Sequence, residues 1–172
     1  MANILTDPPF AADPPIKLNV PAKTVGLVAA ILGIIGLVVF GLFGLIAAFA
    51  LSTVASVCGL TTCVGTGIFF LAIIGVIALA VGALLYTIGG FQMYNLNRSG
   101  KNLVIYGLAV GVIGGLLELI GGLGAGSFIF DLIWFAVGWY LVVISRWPGD
   151  APLVATAPPG GYGSPPPPPP PA

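Results

Sequence analysis

Two carboxylates lie inside otherwise apolar stretches of this chain. Glu118 stands in "YGLAVGVIGGLLELIGGLG" and Asp131 in "SFIFDLIWFAVGWYLVVIS". An ionisable group at membrane depth is costly, and such groups commonly mark proton or ion pathways. Two carboxylates placed together repel, which favours a shared proton or a bound cation. Glu118 and Asp131 are therefore the candidate ion or proton site. The competing reading is interfacial. Each acid lies within about one and a half turns of a span end, where Glu reaches water and Asp suits a helix N-terminus.

Other chemistry is scarce. The chain has no histidine, which removes Ser-His-Asp and Cys-His catalysis, His-containing zinc sites and haem ligation by His. Its two cysteines are too few for an all-Cys zinc site. No metal, no cofactor and no enzymatic activity is expected. Cys58 and Cys63 in "CGLTTC" can close a small structural disulfide ring in an oxidising compartment. The alternative is a pair of reduced thiols, and no charged neighbour lowers either thiol pKa.

The elements that must position these groups are membrane spans. Of the 172 residues 58% are hydrophobic and 6% charged, against about 25% charged in a soluble domain. So few charges cannot cover a surface in water. Formal net charge is zero, which argues against nucleic-acid binding. A span needs roughly 20 apolar residues. The runs at about 24–51, 67–89, 103–122 and 127–145 qualify. The first is too long for the 7–15-residue core of a cleaved leader. With four spans, Lys17, Lys23, Arg98, Lys101 and Arg146 all fall on one side, and the positive-inside rule places both termini in the cytoplasm of a plasma membrane protein. Trp134, Trp139, Tyr140 and Trp147 read as packing and interface anchors.

Glycine spacing predicts where helices touch. Gly33 and Gly41 belong to a small-residue stripe in span one. Gly75 and Gly82 continue to Gly89 at sevens in span two, and Gly107, Gly111 and Gly115 form a double GxxxG in span three. Small residues let membrane helices approach closely. On a helical wheel Glu118 falls among Gly107, Gly111 and Gly115, so it points into the bundle. Asp131 shares a face with Gly138 and Ser145, and the short loop between spans three and four allows the acids to approach.

The resulting expectation is an all-α fold, a four-helix transmembrane bundle over 24–147. Disordered cytoplasmic tails flank it at 1–23 and 148–172, the second ending in "GGYGSPPPPPPPA". That proline run favours polyproline II, either as a handle for a polyproline-binding partner or as a solvated tail.

Gly89-Gly90, the basic turn Arg98-Ser99-Gly100-Lys101, the following "NLVIYGLAVGVIG" and the tail together resemble small four-span actinobacterial (mycobacterial-type) membrane proteins with Pro/Gly-rich tails. The resemblance implies a cell-envelope location and no assigned activity. Three functions follow as expectations: a scaffold or accessory subunit with a membrane-protein partner or as a homo-oligomer; a small proton or cation channel or transporter using the acid pair; and a phage exclusion or defence factor.

Overall fold

The computed structural model describes residues 4–11, 14–16, 18–44, 46, 49–50, 53, 66–121 and 125–150. Cys58, Cys63, Lys17 and the proline run lie outside them. The apolar runs fold as helices: α1 (Ala22–Gly36), α2 (Thr66–Tyr94), α3 (Ser99–Ile120) and α4 (Ala125–Ile144). From Leu37 to Phe43 the first helix widens into a π-helical segment, where the Gly44 N–H donates to Val39 O, five residues back. Among the described residues there is no strand, only an isolated parallel bridge between Pro21 and Arg146.

Three helical stretches are long and apolar enough to cross a membrane: Ala22–Leu42, Leu71–Tyr94 and Ser99–Ile120. The apolar stretch of α4, Phe128–Ile144, is shorter. Only 28%, 33% and 39% of the three long windows is buried inside the protein. Their outward faces carry Val28, Ile31, Ile35, Ile77, Ile113 and Ile120, each at least 48% exposed. Large apolar side chains outside and glycine inside is the pattern that a hydrocarbon solvent allows.

The α2–α3 interface has a simple register. Gly75, Gly82 and Gly89 of α2 meet Gly114, Gly107 and Gly100 of α3, antiparallel. A Cβ on Gly75 would lie 2.8 Å from Gly114 O, and one on Gly89 would lie 2.9 Å from Gly100 O. The partners on α3 therefore also recur every seven residues. The glycines of the double GxxxG meet different neighbours. Gly107 is in the seam and Gly115 faces Asp131 of α4, while the Gly111 N would lie 3.0 Å from a Cβ on Gly82 and nothing lies within 4 Å of a Cβ on Gly111 itself.

Gly90 is one residue, about 100°, around α2 from Gly89, so it meets α1 instead. A Cβ there would lie 2.8 Å from Gly26 O. Gly33 packs against Thr87, whose N would be 2.7 Å from its Cβ. Gly41 departs from the expected stripe, with open space around its Cβ position. It sits in the π-helical segment, where the 100° step of an α-helix no longer holds.

The core of larger side chains gathers toward the end of the bundle where α1 starts and α4 finishes. Met93, Val104, Ile105, Val142 and Trp147 belong to one buried cluster. Phe10 and Val20 pack against it from the N-terminal segment. A disordered tail lacks such packing, so the expectation for 1–23 does not hold for its described residues. Trp139 Nε1 donates to Leu5 O at 2.7 Å. The Tyr140 hydroxyl donates to Ile16 O at 3.0 Å and accepts from Ile16 N at 3.1 Å. Phe10 meets the Trp139 ring edge-on at 5.5 Å between centroids. Two adjacent aromatic residues with polar tips thus give a proline-containing segment both apolar faces and hydrogen bonds.

Candidate functional site: an acid pair beside an interhelical cleft

Glu118 is 8% exposed, on the face of α3 that packs on α2. Gly75 makes room for it: a Cβ there would lie 2.9 Å from Glu118 Cγ and 3.0 Å from its N. Asp131, half-buried one turn and a half into α4, lays its carboxylate over Gly115, where a Cβ would collide with Oδ2. Glu118 lies three residues along α3 from Gly115, the residue that Asp131 covers, which brings the two acids to the same end of the bundle. Gly115 is thus the residue whose missing side chain lets the acid of α4 come down onto α3, one turn before Glu118.

Among the described residues, neither carboxylate has a hydrogen-bond donor or an ion-pair partner. The cations are elsewhere. At the opposite end, Arg98 pairs with Asp150 at 3.2 Å and Lys101 with Asp7 at 2.9 Å. Arg98 also sits over the Trp147 ring at 5.7 Å, and Lys23 over Tyr94 at 4.9 Å. The Arg146 carbonyl accepts from Ala22 N at 2.7 Å and its N–H donates to Val20 O at 2.9 Å. The start of α1 and the end of α4 are thereby joined. No metal-binding group of three or more His, Cys, Asp or Glu side chains occurs among the described residues.

Asp131 also borders a cleft of about 380 Å³ that opens between α1 and α4. Its floor is the glycine seam of Gly82, Gly107 and Gly111. Sequence patterns single out the two acids but not this cleft, because it arises from α1 and α4 each packing on the central pair while barely touching each other. Nor do they reveal the roles of Asp7, Asp150, Trp139 and Tyr140, which join residues up to 134 positions apart.

No family model, curated protein or solved structure matches the chain.

Proposed function

We propose that the chain is a four-span integral protein of the plasma membrane with both termini in the cytoplasm, and that it serves as a non-enzymatic accessory or scaffold subunit of the cell envelope. The observation that carries this reading is the joining of the two tails at one end of the bundle. The Pro21–Arg146 bridge brings them together, and Lys23, Arg98, Lys101 and Arg146 cluster at that end, as the positive-inside rule requires of a cytoplasmic face. Asp150, the last described residue, lies at that same end, where it pairs with Arg98. The proline run of the sequence is of the kind that aromatic-lined grooves of soluble partners recognise. Kinship with the small four-span actinobacterial proteins belongs to this proposal and rests on sequence style.

Single cysteines at Asn97 and Asp150, in a Cys58/Cys63-free background, test the topology. Both should react with an impermeant thiol reagent only after the cytoplasmic face is opened. Truncation after Asp150, which keeps the Arg98 pair, should leave insertion intact and remove co-purifying partners. Unchanged partners would refute the tail's role.

A second reading is favoured by the approach of Glu118 and Asp131 in an apolar setting with no cation beside them. In that reading the pair passes protons or small cations across the bilayer. Proteoliposome flux that is lost in Glu118→Gln or Asp131→Asn, with insertion unchanged, would establish it. Absence of flux in the correctly oriented wild type would dismiss it.

A further inference from the structure

The cleft between α1 and α4 has a composition suited to one kind of occupant. Its walls are apolar: Phe40 comes from the widened part of the first helix, Tyr86 from α2, and Phe130 and Trp134 from α4. The Phe130 and Trp134 rings lie nearly parallel, 6.3 Å apart with 11° between planes. The charged residue in this lining is Asp131, whose carboxylate has no hydrogen-bond or ion-pair partner among the described residues. A volume of about 380 Å³ falls in the range of small-molecule sites, about 300–1,000 Å³.

We propose that this cleft binds an apolar organic cation, a molecule whose greasy body fills the space and whose positive charge faces Asp131. A lipid acyl chain would fill the same volume but offers the acid no partner, so the carboxyl would sit there protonated and unused. A small hydrated cation would satisfy the acid but not the apolar walls. The aromatic rings add to the preference for a cation, since a ring face attracts positive charge, most strongly when desolvated. Gly111 fits this role: its backbone packs beside Gly82 and forms part of the floor, and its missing side chain leaves the cleft open. The inference rests on the membrane placement proposed above and requires neither transport nor scaffolding.

The test compares two probes of nearly the same shape and opposite charge, tetraphenylphosphonium and tetraphenylborate, by equilibrium dialysis against the purified full chain in detergent. Insertion is verified separately by the cysteine accessibility described above, so a misplaced chain and an empty cleft give different results. Tetraphenylphosphonium should bind saturably, and tetraphenylborate should not. Asp131→Asn should weaken the cation by about tenfold or more, the scale of losing a charged partner in a dry site. Gly111→Leu should abolish binding while the protein stays folded, because its side chain would enter the cleft. Equal binding of both probes, or equal cation binding by wild type and Asp131→Asn, would overturn the proposal in favour of a purely apolar occupant. No saturable binding by the correctly inserted wild type would overturn it outright.

Discussion

Gly82 of α2 and Gly107 of α3 each occupy the space that the other's side chain would need. A Cβ on Gly82 would lie 2.8 Å from Gly107 O, and a Cβ on Gly107 would lie 2.7 Å from Gly82 O. The obstacles are backbone atoms, which cannot swing aside as a side-chain tip does. Gly82→Val or Gly107→Val must therefore push the helices apart, at a cost of about 1–3 kcal/mol for forced overpacking. Gly111→Ala, with nothing within 4 Å, should instead be neutral or stabilising by up to about 1 kcal/mol, since alanine restricts the unfolded chain more than glycine does. Equilibrium unfolding in mixed micelles separates the two outcomes.

The α1–α2 contact should behave differently, because there the obstacle is partly a side chain. A Cβ on Gly33 would collide with the Thr87 hydroxyl, and it would also lie 2.7 Å from Thr87 N and 2.9 Å from its Cα. The hydroxyl already donates to Ala83 O at 2.7 Å, which fixes its rotamer. Gly33→Ala should therefore destabilise the protein, and Thr87→Ala in the same chain should recover only part of the loss. A double-mutant cycle measures the coupling. Complete recovery would mean that the backbone of α2 yields more easily than its packing implies.

These contacts mark how far residues alone lead. The helices follow from apolar length, because hydrocarbon leaves the backbone no other partner. The closeness of Glu118 to Asp131 follows from a wheel position and a short connection, both local quantities. The pairing register does not. Gly107, Gly111 and Gly115 look equivalent in sequence, yet Gly107 lies in the seam, Gly111 faces the cleft and Gly115 receives Asp131. The choice is made by the partner helix, whose own glycines recur at sevens. The packing of Leu5, Phe10 and Ile16 on Trp139 and Tyr140 is likewise non-local and is hidden by a proline-containing sequence that resembles a free tail.

Acid should loosen that N-terminal segment. The Lys101 ammonium donates to Asp7 Oδ1 at 2.9 Å and holds the Asp7 carboxyl below its ordinary value of 3.8, with a smaller contribution from the Thr6 hydroxyl. A folded-state pKa below the unfolded one means that the ion pair supports the docked segment throughout the neutral range. That support is lost as pH falls below 3.8, through the depressed folded value. Lys101→Ala should raise the Asp7 titration midpoint toward 3.8. A carboxyl-carbon NMR titration of labelled Asp7 reads this directly, and an unmoved midpoint would show that Lys101 does not hold it.

The turn between α2 and α3 carries a correctable strain. Leu96 adopts φ 59°, the left-handed region that costs an L-residue roughly 1–2 kcal/mol. Its N–H bonds to Met93 O at 2.9 Å, and the Asn97 N–H bonds to Gln92 O at 2.8 Å. Together these satisfy the last carbonyls of α2 in the paired pattern that usually has glycine at the left-handed position. Leu96 is 45% exposed, so removing its side chain leaves no cavity. Leu96→Gly relieves the backbone but gives the unfolded chain more freedom, worth about 0.5–1 kcal/mol. The net effect should be a stabilisation of up to about 1 kcal/mol, whereas Leu96→Val, whose branched Cβ suits this region still less, should destabilise. Thermal unfolding of the three proteins side by side tests the order Gly, Leu, Val.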